Sequence, residues 1–347
     1  WNDKDNVPQG EQQTNVAKLY DAFDETQADK RYYVGVGTGA SWFDQKLGGG
    51  TGWGARKRIA AAYRDLIQIY NGDSATGREP DRTIDVIGFS RGATEAREFA
   101  NMIHDYGIPD LSSARTVGRG RNKRVVYDRY FKSPEIRFMG IFDTVASMGI
   151  AGNATNLTYE LAIPPNVQNV RHAVAADEFR SLFPLASAVD PFNPDDPRIM
   201  ERVFRGAHSD LGGGYTEVNG DRGDQLSLAP LQWIWKEGRA LGVPFGELTE
   251  ADRRVPDEDV EPHDSRYFLD RWRQFLPRLI LGDKYHPPRK VHRYYRPFGW
   301  DMVFSNAWEK LEPDMPEGEA QPDLVIESEE DGDIDTEILW EDVNLAP

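Results

Sequence analysis

A serine between two glycines, in Gly88-Phe89-Ser90-Arg91-Gly92, is the segment of this 347-residue chain best suited to covalent chemistry. A serine hydroxyl becomes a nucleophile when a tight turn exposes it and a base removes its proton. Side chains at positions 88 and 92 are expected to crowd the elements that flank this turn. The spacing therefore predicts acyl transfer through Ser90, with the backbone N–H of Arg91 stabilising an oxyanion.

Two later side chains could activate this serine. Asp143 and His208 follow Ser90 in the chain order nucleophile, acid, base that α/β-hydrolases use. His172 is a second histidine near a core segment after Asp143, and Asp210 is a rival acid. Asp210 stands only two residues from His208, so we expect it to shape the loop or bind backbone amides. Pairing with Asp143 is expected to raise the pKa of His208 above its usual value of about 6.5.

The elements around these residues predict how they meet. Ile84, Val86 and Ile87 form a β-rich apolar run before Ser90, and apolar residues follow at helical spacing from Ala93 to Ile103. Strands are also predicted at 136–142 and 202–206, directly before Asp143 and His208. Carboxyl ends of parallel strands meet at one edge of a sheet, so the three side chains should converge. Further elements are predicted as a strand at 32–36, a helical turn at 178–183, and helices after Thr14, at 55–70 and at 228–241.

The fold class that follows is α/β, a mostly parallel sheet flanked by helices. A dinucleotide site at Gly35-Val36-Gly37-Thr38-Gly39 is disfavoured, because the third glycine is misplaced and no helix follows directly. The glycine cluster at 48–54 lacks the Gly-Lys-Ser/Thr of a phosphate-binding loop, so it is expected to shape a site. The predicted mechanism needs neither a metal nor a cofactor.

Composition excludes several classes of protein. With 41 basic and 58 acidic residues the net charge is −17, which argues against nucleic-acid binding. The absence of cysteine removes disulfides and thiolate chemistry. No apolar run approaches the length of a membrane span, and no signal peptide is visible. Residue 1 is Trp, so we expect the natural N-terminus to lie upstream.

Four motifs occur in an order that resembles one family. They are the segment from Gly88 to Ala93, Phe142-Asp143-Thr144-Val145, the segment from His172 to Glu178 with Arg180, and Gly206-x-His208-Ser209-Asp210-Leu211-Gly212-Gly213-Gly214-Tyr215. Together they resemble the catalytic domain of type VI secretion lipase effectors of the GxSxG class, over roughly residues 1–240. The last motif is far more specific than GxSxG.

The resemblance implies an α/β-hydrolase core with phospholipase A1 or A2 activity. It also implies catalysis by Ser90, Asp143 and His208. Expected partners are a phospholipid membrane surface, a secretion-apparatus protein and an immunity protein. The chain would be made in the cytoplasm without a signal peptide and delivered to the periplasm or membrane of a target cell. The family also has a strand and loop before the equivalent of Trp1-Asn2, the natural source of a second oxyanion donor.

The last third of the chain carries no motif that can be matched. We therefore expect a catalytic domain at 1–245 and an accessory region at 246–347, with an acidic tail. Residues 266–304 are rich in aromatic and basic groups, which suits a membrane-facing surface. The cations of that surface would be Arg273, Arg278, Lys284, Arg289, Lys290, Arg293 and Arg296. Alternatively, the aromatics pack a small subdomain and the cations pair with the tail beyond Glu309.

Two other functions remain open from the residues alone. The same triad could serve a soluble esterase that acts on a non-lipid acyl substrate. The chain could also be a non-catalytic α/β module for binding or delivery. Activation by vesicles or monolayers distinguishes a lipase from a soluble esterase. Labelling of Ser90 by a fluorophosphonate rules out a non-catalytic module.

Overall fold

The computed structural model describes residues 13–34, 52–73, 77–119, 123–146, 159–180, 183–215, 225–255, 260–264, 288–295 and 302–314. The chain divides into two units, Trp1–Asp314 and Met315–Pro347, and the second lies outside the described residues. The predicted glycine loop at 35–39 and most of the predicted membrane-facing stretch also lie outside them.

Five helices and eleven strands lie in the described residues. The helices are α1 (Asn15–Ala22), α2 (Gly52–Asn71), α3 (Arg91–Tyr106), α4 (His208–Gly212) and α5 (Gln225–Ala240). The strands are β1 (Ile84–Phe89), β2 (Ile108–Pro109), β3 (Ala114–Val117), β4 (Arg124–Tyr127), β5 (Tyr130–Phe131), β6 (Ile136–Phe142), β7 (Val170–Ala175), β8 (Leu185–Ala186), β9 (Ile199–Phe204), β10 (Arg289–Tyr295) and β11 (Met302–Glu309).

The central sheet has four parallel strands in the order β1-β6-β7-β9. Helices cover both of its faces, as the alternation along β6 shows. Phe138 and Phe142 pack in the cluster that contains α1 and α5, whereas Met139 and Ile141 pack in the cluster that contains α3. This confirms the predicted α/β class with a mostly parallel sheet. It also brings the carboxyl ends of the strands to one edge.

A second, three-stranded sheet has the order β11-β10-β8. β10 pairs with β11 antiparallel and with β8 parallel, where Val291 lies opposite Leu185. Short antiparallel pairs join β2 with β5 and β3 with β4. None of the helices in the described segments combines the length and apolar character needed to cross a membrane.

Several predicted elements differ from the observed ones. Of the strand predicted at 32–36, residues 32–34 are described and are not a strand. Residues 178–180 are not helical, and β9 covers 199–204 and not 202–206. Strand β7 is absent from the sequence-based prediction, because Arg171 and His172 interrupt its apolar run. All six residues of β7 are buried, with Arg171 paired to Glu237 and His172 to Glu201. A strand that buries charged groups with their partners has no clear hydrophobic signature.

Candidate active site

Ser90 lies in a strained turn between β1 and α3, where its φ is 59°. Its backbone is tied to the end of β6: the Ser90 N–H donates to Phe142 O over 2.9 Å, and Val145 N–H donates to Ser90 O over 3.3 Å. Positive φ is rare for a residue with a side chain, so these contacts stabilise a conformation that the chain alone disfavours. The turn aims the hydroxyl at the sheet edge.

The two glycines of the turn differ in their surroundings. A Cβ at Gly88 would lie 2.7 Å from Gly92 O and 2.8 Å from the Cα of Ala93, so only glycine fits there. A Cβ at Gly92 would meet no described atom within 4 Å. The crowding predicted for Gly92 is therefore wrong, because the start of α3 turns this position away from the strand.

Asp143 follows β6 directly and has a φ of 39°. It is fully buried, and its Oδ1 accepts a hydrogen bond from Ala175 N–H over 3.0 Å. Its own N–H donates to Ala173 O over 2.7 Å. The end of β7 therefore fixes both the backbone and the carboxylate of Asp143.

His208 connects this carboxylate to the serine. Its Nδ1 lies 2.6 Å from Asp143 Oδ2, and its Nε2 lies 2.8 Å from Ser90 Oγ. The imidazole is fully buried between the rings of Phe89 and Phe183, whose centroids lie 4.7 and 5.2 Å away. With Asp143 ionised, Nδ1 carries the proton and donates it to the carboxylate, which leaves the Nε2 lone pair facing the serine hydroxyl.

A buried arginine completes the surroundings of the carboxylate. Arg289 Nη1 donates to Asp143 Oδ1 over 2.7 Å, and Nη2 donates to Oδ2 over 2.8 Å. Burial by itself would raise the pKa of Asp143, but Arg289 and His208 outweigh it and hold that pKa well below its usual range. The carboxylate is therefore charged at neutral pH.

The pKa of His208 moves in the direction opposite to the one predicted from sequence. Burial lowers it below 6.5, and this outweighs the raising effect of Asp143. The sequence-based argument weighed only the attraction of the carboxylate for the imidazolium. It could foresee neither complete burial nor a cation that already neutralises Asp143.

Asp210 is not placed to act on the Nδ1 of His208. Its Oδ2 accepts hydrogen bonds from Ala207 N–H over 2.8 Å and from His263 N–H over 3.0 Å. Its Oδ1 lies 2.6 Å from the Nδ1 of His263, and the ring of His263 stacks on Tyr215. Asp210 thus joins the start of α4 to residues 260–264.

His172, the other histidine considered as a base, lies on strand β7, next to β6 in the sheet. Thr144 N–H donates to its Nε2 over 3.2 Å, so its Nδ1 carries the proton and donates to Glu201 Oε2 over 2.8 Å. His172 therefore supports the turn that holds Asp143 and makes no contact with Ser90.

Sequence reasoning missed three side chains that contact the predicted site residues. They are Arg289 on Asp143, Glu178, whose Oε2 accepts from His208 N–H over 3.3 Å, and His263 on Asp210. Arg289 was assigned to a membrane-facing surface because of its basic and aromatic neighbours, but its side chain is 2% exposed. Arg293 pairs with Glu309, with Nη2 and Oε2 2.8 Å apart. The other predicted cations, apart from Lys290, lie outside the described residues.

Arg91 is the first residue of α3. The first N–H groups of a helix have no acceptor within it, which suits the predicted role of this backbone group as an oxyanion donor. Within the described segments no group of three or more His, Asp and Glu side chains is arranged to hold a metal ion. A mechanism without metal remains a prediction from the residues.

One protein-family model matches this chain. The model of the family "T6SS, Phospholipase effector Tle1-like, catalytic domain" matches residues 1–133 and 112–237. A solved structure described as the Tle1 effector bound to the VgrG spike of the type 6 secretion system aligns with a TM-score of 0.50 and 18% identity, over 73% of this chain and 71% of that one. At this identity the likeness shows a shared fold.

A second solved structure is an uncharacterized protein from Pseudomonas aeruginosa, 28% identical with a TM-score of 0.34. It covers 58% of this chain, which spans 31% of that protein. No curated protein matches the chain. The family match extends over more than half of the sequence and includes Ser90, Asp143 and His208. The chain belongs to the Tle1-like family of type VI secretion phospholipase effectors, through its catalytic domain.

Proposed function

We propose that this protein is a serine-dependent phospholipase in which Ser90 is the nucleophile, His208 the base and Asp143 the acid. The observation that carries the proposal is the buried chain of hydrogen bonds from Asp143 Oδ2 through His208 to Ser90 Oγ, at 2.6 and 2.8 Å. Membership of a family of phospholipase effectors supports the substrate class.

The geometry supports acyl transfer in two stages. His208 Nε2 takes the Ser90 proton while Oγ attacks the carbonyl carbon of the ester, and Asp143 stabilises the imidazolium through Nδ1–H. The N–H of Arg91 stabilises the oxyanion of the tetrahedral intermediate. When the intermediate collapses, the C–O bond breaks and the proton on Nε2 goes to the leaving alcohol. A water molecule, deprotonated by His208, then cleaves the acyl-serine ester and regenerates Ser90.

The substrate we propose is a glycerophospholipid, cleaved at an A1 or A2 ester. A mainly apolar cavity of about 300 Å³ has a size and character that suit an acyl chain. Gly88, Phe89 and Gly92, which neighbour Ser90 in the chain, line it, whereas Ser90, Asp143 and His208 themselves do not. Ser90 itself is 3% exposed, so its hydroxyl is shielded from bulk water. The alternatives are a soluble esterase with the same triad and a non-catalytic binding or delivery module.

The partners proposed follow from the family. The structural neighbour is bound to a VgrG spike, and we propose that a spike protein also carries this chain. The phospholipid surface of a target cell would be its site of action, reached in the periplasm or at the membrane. An immunity protein would protect the producing cell. Nucleic acid is not among the proposed partners.

The test of the nucleophile is labelling by a fluorophosphonate probe, read by mass spectrometry. We expect the probe on Ser90 in the wild type and no labelling in Ser90→Ala. Ser133→Ala is a matched control, because Ser133 also has positive φ and its Oγ lies 2.7 Å from the Nδ1 of His104. The control should be labelled like the wild type. A wild-type protein that does not react at Ser90 would contradict the mechanism.

The test of the substrate is lipidomics on cells that receive wild-type protein or Ser90→Ala in the periplasm. Lysophospholipids and free fatty acids should rise only with the wild type, and the position of the remaining acyl chain separates A1 from A2 cleavage. A labelled but lipid-inactive protein that hydrolyses soluble esters would favour the esterase alternative.

A further inference from the structure

We propose that Arg289 is a positioning residue for catalysis: it fixes the Asp143 carboxylate against His208 and, by neutralising that carboxylate, extends to lower pH the range in which His208 works as a base. The inference rests on the proposed serine mechanism. It assigns a role in the site to the chain beyond residue 237, where the family match ends.

The guanidinium is held rigidly at this position. Its Nη1 donates to Asp143 Oδ1 and to Ala175 O, over 2.7 and 3.2 Å. Its Nη2 donates to Asp143 Oδ2 and to Phe183 O, over 2.8 and 3.0 Å, and its Nε donates to Phe183 O over 3.1 Å. All five N–H donors therefore have acceptors, and the bidentate pair matches the plane of the carboxylate.

Both carboxylate oxygens of Asp143 therefore accept hydrogen bonds from fixed directions. Oδ1 receives Arg289 and Ala175 N–H, while Oδ2 receives Arg289 and His208 Nδ1. The carboxylate cannot rotate without breaking two charge-assisted hydrogen bonds. Its remaining contact on Oδ2 is thus directed at the imidazole, which fixes the ring and its tautomer for proton transfer to Nε2.

The charge of Arg289 has a second effect. A lone aspartate stabilises imidazolium strongly, but here the pair of Asp143 and Arg289 has no net charge. The other charged groups near His208 are Glu178 and Arg180, which form an ion pair with each other. Burial is the main cause that lowers the pKa of His208, and Arg180 acts in the same direction. By neutralising Asp143, Arg289 weakens the opposing pull of the carboxylate and so helps to keep Nε2 unprotonated at mildly acidic pH.

The experiment is the pH dependence of kcat/KM on a soluble short-chain ester for the wild type, Arg289→Met and Arg289→Lys. Removing the cation should raise the midpoint of the acidic limb by about one pH unit and lower the maximal kcat/KM by roughly 10- to 100-fold. Lysine keeps the charge but cannot bridge both oxygens, so its midpoint should stay near the wild-type value while kcat falls.

The control is Arg293→Met on the same strand, which removes an ion pair with Glu309 and does not touch Asp143. It should lower the melting temperature without moving the midpoint. If Arg289→Met loses activity only in proportion to its stability, with an unchanged midpoint, Arg289 is structural and the proposal is overturned. If Arg289→Met does not fold, Arg289→Lys decides, since full wild-type kcat in that variant also overturns it.

A readout that does not use catalysis separates this inference from the proposed function. The pKa of His208 is measured by NMR with ¹⁵N-labelled histidine, its signal assigned through His208→Gln. A higher pKa in Arg289→Met than in the wild type supports the role of Arg289 even if Ser90→Ala proves as active as the wild type. An equal pKa overturns it even if the serine mechanism holds.

Discussion

At the scale of residues, three side chains form one hydrogen-bonded unit, so the loss of one member leaves little for the others to do. We expect Ser90→Ala and His208→Ala each to reduce kcat by a factor on the order of 10⁶. The double variant should lose little more than either single variant. Steady-state kinetics on a soluble ester measures this, and additive losses would show that the two residues act separately.

The second residue-scale prediction concerns pH. His208 must be neutral to accept the serine proton, so kcat/KM falls as the pH drops through its pKa. Burial lowers that pKa, and we therefore expect the midpoint of the acidic limb below about 6.5. A pH profile of kcat/KM in the wild type checks this, and a midpoint above 7 would contradict it.

At this scale the sequence predicted which residues meet but not what surrounds them. Ser90, Asp143 and His208 could be chosen because each follows a strand or motif with a recognisable pattern. Arg289 could not be chosen, since it lies 146 residues beyond Asp143 and no local pattern links the two. Burial and long-range charge, which decide pKa values, are properties of the folded chain alone.

At the scale of elements, the site depends on how closely α4 approaches β1. Gly212 at the end of α4 has no room for a Cβ, which would overlap the ring of Phe89. Phe89 in turn packs on the imidazole of His208. The backbone of the HSDLGGGY motif thus fixes the position of the base through one aromatic ring.

Gly212→Ala tests this approach. The added methyl should destabilise the fold by about 1–3 kcal/mol and, by displacing His208, lower kcat by a factor on the order of 100. Thermal denaturation and kinetics are measured on the same preparation. Gly212→Ala combined with Phe89→Leu should recover part of the lost stability. A single variant with unchanged melting temperature would show that the ring has room to move.

Strand β10 carries a histidine whose protonation the fold opposes. Burial and nearby Lys290 lower the pKa of His292 to about 4. The unfolded chain binds this proton below about pH 6.5, and the folded chain does so only near pH 4, so stability falls as the pH drops through that window. When the pH is lowered from 7.5 to 4.5, the free energy of unfolding should fall less in His292→Leu than in the wild type. The difference should be on the order of 2 kcal/mol.

Urea denaturation at the two pH values measures this difference. Lys290→Gln removes the repulsion but not the burial, so its effect should have the same sign and be smaller. Equal pH dependence in the wild type and His292→Leu would contradict the assignment.

Helices and strands with clear hydrophobic periodicity were predicted well. Those that bury charged side chains with ion-pair partners were predicted poorly. Strand β1 and helices α2 and α5 have regular apolar spacing and lie close to their predicted bounds. Strand β7 carries Arg171 and His172, whose partners Glu237 and Glu201 are distant in sequence. The sequence of β7 therefore lacks the continuous apolar run of a buried strand, and its burial could not be predicted without knowing those partners.

At the scale of the whole molecule, the matched family region ends before the chain that completes the site. Strand β10 pairs with β8, and Arg289 reaches Asp143 from it. Further along, Asp314 accepts from Val203 N–H over 2.8 Å and so continues the contacts of β9. The expected domain boundary at residue 245 thus separates His208 from Arg289, although both side chains contact the carboxylate of Asp143.

Two truncations test this arrangement. A chain ending at residue 314 keeps every contact described around the site, and we expect wild-type kcat/KM and fluorophosphonate labelling from it. A chain ending at residue 245 lacks Arg289 and His263, and it should show neither, because a buried carboxylate loses the cation that compensates its burial. Full activity of the shorter chain would show that residues 1–245 are a complete enzyme.

The distance along the chain between Asp143 and Arg289 also has a consequence in time. A ribosome adds roughly 5–20 residues per second, so the 146 residues between the two groups take about 7–30 s to synthesise. His208 is added 65 residues after Asp143, and from then until position 289 is reached the nascent polypeptide carries Ser90, Asp143 and His208 but not the arginine that neutralises the acid. A cell that translates this chain therefore completes the hydrolytic centre only after Arg289 has been added.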